Sequence, residues 1–137
     1  MKNRKVLLIP FFVSLLVFLL TSWTAAISSY SALWAESVSF FALSYFMLER
    51  YAKDTTYGIP VILMIMIGRV ILEIPIRIHA FYASLHSLYI TIVVLLSIIL
   101  SAVYYHEKRP SVLVLSIVIM ILLNTVGYDG WVHLIGH

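Results

Sequence analysis

Cysteine is absent from this sequence of 137 residues, which excludes disulfides, thiolate metal sites and cysteine nucleophiles. Charge is scarce too, because 11% of the residues are charged and 63% are hydrophobic. A soluble domain is about half apolar and about a quarter charged, so this composition is typical of a membrane protein. The net charge of +3 does not indicate nucleic-acid binding, because the basic residues lie in short clusters between apolar runs.

Five apolar runs are typical of membrane-crossing helices, although the fifth is somewhat short. They predict one all-α membrane domain over 1–137, a bundle of about five transmembrane helices, with an interfacial tail at 127–137. The first run could instead be a signal peptide ending at Thr24-Ala25-Ala26, but its length favours a retained span. The predicted spans are 6–26, 32–48, 59–78, 85–105 and 111–126.

The orientation follows from three basic clusters, which all fall on one side of a five-span chain. By the positive-inside rule, they predict a cytoplasmic N-terminus and an outside C-terminus, in the cell (inner) membrane. A four-span alternative, with the last run lying in the interface, would put the C-terminus inside. The clusters are Lys2, Arg4 and Lys5, then Arg50 and Lys53, then Lys108 and Arg109.

The third span contains three ionisable residues four positions apart, Arg69, Glu73 and Arg77, which share one helical face. Charge inside a membrane is costly, so such residues usually have a partner or a function. Pro75 predicts a kink at 71–75, because proline lacks an N–H and its ring crowds the preceding turn. The orientation also places Glu36, His86 and Asn124 in the outer half, which predicts a polar pocket that opens outward.

The stripe formed by Arg69, Glu73 and Arg77 has two main interpretations. One is a structural ion-pair network, with Glu73 paired to an arginine and the remaining charge answered by Glu36 on the neighbouring helix. The other is a site for an anionic group, such as a lipid headgroup, because an arginine fork binds phosphate or carboxylate bidentately. The two carboxylates also permit a proton relay.

Asp129, His133 and His137 are four residues apart, so one helical face could present all three as ligands to a divalent metal. Against this, Gly127, Gly130 and Gly136 weaken a helix there. Interfacial histidine and tryptophan residues are also common as anchors. The metal site is therefore the less favoured interpretation of the tail.

No sequence motif identifies a catalytic machinery or a family. The favoured function is a non-enzymatic accessory subunit or small carrier, whose outward-facing pocket binds an anionic group or lipid headgroup. The alternative is a membrane-embedded enzyme acting at the outer leaflet with a Glu and His site, with or without a metal. The expected partners are the lipid bilayer, other membrane subunits or an anionic lipid, and not nucleic acid.

Overall fold

The computed structural model describes residues 2–21, 29–51, 58–71, 73–74 and 84–134, and they are helical apart from short turns. Side chains are described for 8–21, 31–51, 58–71, 73–74 and 88–134. The last two α-helices are joined by a π-helical turn, Leu123–Gly127, into one continuous helix, Pro110–Leu134. The α-helices are α1 Lys2–Thr21, α2 Ser29–Tyr51, α3 Gly58–Val70, α4 Ser84–Glu107, α5 Pro110–Leu122 and α6 Tyr128–Leu134.

Three helices of the described part are long and apolar enough to cross a membrane. These stretches are Ser31–Tyr51, Leu88–Glu107 and Pro110–Leu134. Two shorter apolar helical stretches, Leu8–Thr21 and Gly58–Val70, pack with them. The all-helical, membrane-type character that the composition predicts is therefore confirmed for the described residues.

Proline marks two of the helix boundaries. Pro110 occupies the first turn of α5, where its missing N–H costs nothing, and it follows Arg109 in extended conformation. At the other boundary, α3 ends at Val70, although Ile71 N–H still donates to Ile67 O over 2.9 Å and residues 73–74 are helical again. The regular helix thus stops next to the segment where Pro75 predicts a kink, and the predicted end of the span at 78 lies outside the described residues.

The core forms where α2 packs on α4 and α1 packs on α3. Gly68 allows α1 to approach α3 closely, since a Cβ there would lie 2.6 Å from Phe11 O. On the same face, the Ser14 hydroxyl donates to Ile65 O over 2.7 Å and ties the two helices together. The apolar core contains Leu33, Phe40, Ile65, Val93 and Ile98, all with no exposed surface.

The continuous C-terminal helix packs mainly on α4 and leaves most of its surface uncovered. Its π-helical turn is fixed to the bundle by Tyr89, whose hydroxyl donates to Leu123 O over 2.5 Å. Gly127 fits against the same hydroxyl, where a Cβ would collide. The helix continues to Leu134, beyond the predicted span 111–126, because this contact accommodates the glycine that would otherwise weaken it.

Candidate functional site

The Arg69 guanidinium is the centre of a buried ion cluster at the end of α3. Its side chain is 1% exposed, and Glu36 and Glu73 are each 4% exposed. Arg69 Nη1 donates to Glu73 Oε2 over 2.8 Å, and Arg69 Nε lies 2.8 Å from Glu36 Oε1. The second contact is at ion-pair distance but lacks hydrogen-bond alignment, so its attraction is chiefly electrostatic.

Two further helices complete the surroundings of this guanidinium. Thr91 of α4 accepts from Arg69 Nη2 over 3.4 Å, and its own hydroxyl donates to the Glu73 carboxylate. Phe18 of α1 lies under the guanidinium, with 4.3 Å between Arg69 Cζ and the ring centroid. The ring face attracts the cation and excludes water from it. The charged cluster of Glu36, Arg69 and Glu73 therefore joins α1, α2, α3 and α4.

These residues meet because consecutive helices run in opposite directions. Glu36 is near the start of α2, Arg69 is at the end of α3, and Thr91 is near the start of α4. The i,i+4 spacing brings Glu73 back over Arg69 on one face. Glu73 is thus paired with an arginine, as the structural interpretation predicts. Glu36 contacts that same arginine, whereas the prediction had it answer the remaining charge.

Asn124 enters the same end of the bundle from the π-helical turn. It is fully buried, and its Nδ2 donates over 2.9 Å to the hydroxyl of Ser37, the residue after Glu36. Asn124 Oδ1 is buried with no hydrogen-bond partner among the described residues. The structure thus places Asn124 on the helix face next to the charged cluster, and not in contact with Arg69.

Other predicted site residues fall outside the described part. Arg77 and His137 are not described, and His86 is described only as a backbone position in α4. Asp129 and His133 are exposed on α6. Among the described residues, no three His, Asp or Glu side chains are grouped closely enough to hold a metal ion. Because His137 lies outside that set, the metal site at Asp129, His133 and His137 stays a prediction.

The geometry limits what the cluster can do chemically. The guanidinium fork of Arg69 already faces two carboxylates, so an anionic ligand could bind it only by displacing one of them. The cluster carries one positive and two negative formal charges, a sum of −1 for Arg69, Glu36 and Glu73. A net charge in a low-dielectric interior is costly, so it is offset by a further positive group or removed by protonation of one carboxylate.

Sequence reasoning alone did not find Thr91 and Phe18. Both lie in apolar runs, and their part in the cluster depends on how far α1 and α4 are rotated about their axes. The available signal was that Thr91 is a polar residue within an apolar run.

No protein-family model, curated protein or solved structure matches this chain. Its function therefore has to be inferred from its own residues.

Proposed function

We propose that the chain crosses the cell (inner) membrane five times, with a cytoplasmic N-terminus and an outside C-terminus. Three helices with the length and apolarity of spans support this, as do the two apolar helices packed against them. The basic residues Arg50, Lys108 and Arg109 lie where α2 ends and α5 begins, at the opposite end of the bundle from Arg69. Positive charge on that side favours a cytoplasmic location.

Single cysteines test this topology cleanly, because the chain has none of its own. In intact cells, an impermeant thiol reagent should label Ser29→Cys, Tyr82→Cys and Gly136→Cys. It should label Thr55→Cys and Ser111→Cys only after the cells are opened. Labelling of Thr55→Cys in intact cells would overturn the orientation.

We further propose that the protein is a non-enzymatic accessory subunit or small carrier that binds an anionic group at its outer end. The observation that carries this proposal is the buried Arg69, held by Glu36 and Glu73 where four helices meet. A charge cluster at a helix junction fixes the relative positions of the helices and so builds a rigid frame. A rigid frame at the membrane surface can present a binding group to a ligand or partner.

The group that binds the ligand in this proposal is Arg77. It follows Glu73 by four residues in the sequence. Arg69 has a structural role, because its fork is occupied by the two carboxylates. An anionic headgroup or a small acid would then bind to the Arg77 fork.

The comparison of Arg77→Gln with Arg69→Gln tests these separate roles. Phosphatidylglycerol retained through purification and binding of inorganic phosphate would distinguish a lipid headgroup from a free anion. Arg77→Gln should stay folded and bind the relevant probe about tenfold more weakly. Arg69→Gln should instead lower the free energy of unfolding. Arg50→Gln removes the same charge at the opposite end and serves as the control.

Two results would contradict the proposal. One is that Arg77→Gln binds both probes as the wild-type protein does. The other is that Arg69→Gln is fully stable and loses the anion, which would make Arg69 the ligand-binding residue.

A further inference from the structure

An apolar groove of about 660 Å³ lies at the end of the bundle opposite to Arg69. Ile59, Ile62 and Leu63 of α3 form one wall, and Ile99 and Val103 of α4 form the other. Ile59 is 75% exposed and Leu63 50% exposed, so the groove opens sideways. A groove of this size and lining is suited to an apolar ligand.

Only one end of this groove is polar. Tyr105, His106 and Glu107 line it there, as α4 ends. Lys108 follows directly, and its Nζ lies over the Tyr105 ring, 4.7 Å from the centroid. Arg109 is exposed beside it. The Lys108 ammonium group thus lies beside Tyr105, at the polar end of an otherwise apolar groove.

The described charged residues around this end of the groove are positive in sum, although the charged residue that lines the groove itself is Glu107. The described charged residues here are Glu49, Arg50, Glu107, Lys108 and Arg109, with three positive and two negative formal charges, a sum of +1. Lys108 and Glu49 are only loosely paired, at 3.8 Å, with side chains 55% and 45% exposed. Lys108 can therefore turn to another anion at little cost.

We propose that the groove binds one anionic phospholipid, with an acyl chain between α3 and α4 and the phosphate against Lys108. A phospholipid fits this groove chemically, because its apolar chain matches the apolar walls and its single charged end matches the polar end. A partner helix would need apolar surface along its whole length and would bring no phosphate to the Lys108 end of the groove. Basic pockets between membrane helices are known to hold anionic headgroups.

Gly58 allows a direct test, because it lines the groove and a Cβ there would meet nothing within 4 Å. Gly58→Trp adds a large side chain at the lining of the groove, and its Cβ meets no neighbouring atom within 4 Å. Gly130→Trp is the matched control, since Gly130 has equally open surroundings but lies on α6 away from the groove. The probe is phosphatidylglycerol, compared with phosphatidylcholine of the same chains, added to delipidated protein and counted by native mass spectrometry.

Lipids are counted in the Arg77→Gln background, which lacks the proposed outer anion site; there the otherwise unchanged protein and Gly130→Trp should each bind one phosphatidylglycerol in preference to phosphatidylcholine. Gly58→Trp should bind it about tenfold more weakly. Lys108→Gln should bind both lipids alike, because it keeps the groove and removes the headgroup contact. Equal binding by Gly58→Trp and Gly130→Trp would overturn the proposal, and so would an otherwise unchanged protein without preference between the lipids.

A second measurement does not depend on how the tryptophan variant folds. Phosphatidylglycerol with a diazirine at the end of an acyl chain should label wild-type peptides that contain Ile62 or Val103. Labelling only of other peptides would overturn the proposal. Arg77→Gln should leave this labelling unchanged, so the groove and the outer anion site can fail separately.

Discussion

The two ends of the bundle hold the same type of interaction in opposite settings. At one end, Arg69 lies 2.8 Å from carboxylate oxygens of both Glu36 and Glu73, and all three side chains are buried. At the other end, Lys108 lies 3.8 Å from Glu49, and both side chains are about half exposed. The first cluster connects four helices, whereas the second joins the end of α2 to the loop after α4.

The difference shows why the number of ion pairs says little about stability. An exposed pair gains little, because the surroundings screen it and two flexible side chains must be ordered. A buried cluster costs much to desolvate, but loss of one member leaves an uncompensated charge in the interior. We therefore expect the Arg69 cluster to control folding, and the Lys108 pair to be replaceable.

The largest loss of unfolding free energy should come from Arg69→Ala. It removes the only described positive charge of the cluster and leaves Glu36 and Glu73 near each other in the core. Breaking a buried pair from one side costs on the order of 3–5 kcal/mol of unfolding free energy. Glu73→Ala should cost less, since Glu36 still faces Arg69. Unfolding with a denaturing detergent measures the unfolding free energy of both variants. If Arg69→Ala loses less unfolding free energy than Arg50→Ala, the prediction is contradicted.

A smaller loss of unfolding free energy should follow from Gly68→Ala. The substitution disturbs the close packing of α1 on α3, and this packing places Phe18 beneath Arg69. The added Cβ would lie 2.6 Å from Phe11 O, a backbone atom, so α1 has to shift. Overpacking of this kind costs about 1–3 kcal/mol. Gly130→Ala is the control, because its Cβ meets nothing within 4 Å. The free energy of unfolding in the same detergent is the measurement, and equal stability of the two variants would argue against close α1–α3 packing.

The sequence predicted the parts of this site that depend on spacing and depth. The four-residue interval joins Arg69 to Glu73, and the alternation of spans brings Glu36 to the same end. It did not predict Phe18 and Thr91, since which residue of an apolar helix faces a neighbour depends on packing of the whole bundle. The π-helical turn was also missed, because the Tyr89 contact that fixes it is far away in sequence.

The smallest effect should come from Glu49→Gln at the exposed end. The pair with Lys108 is long and half exposed, so its loss should change the unfolding free energy by less than about 1 kcal/mol. The small change should also shrink as salt is added, because salt screens exposed charges. Unfolding at low and high ionic strength checks both points, and a loss comparable to that of Glu73→Ala would remove the contrast between the two ends.

The most direct test of the central claim is a pair of double-mutant cycles on unfolding free energy, one at each end. The first combines Glu36→Gln with Arg69→Gln, and the second combines Glu49→Gln with Lys108→Gln. We expect a coupling of about 1–3 kcal/mol for Glu36 and Arg69, and additivity within about 0.5 kcal/mol for Glu49 and Lys108. A coupling between Glu36 and Arg69 no larger than that between Glu49 and Lys108 would contradict the conclusion that the buried cluster holds the bundle together.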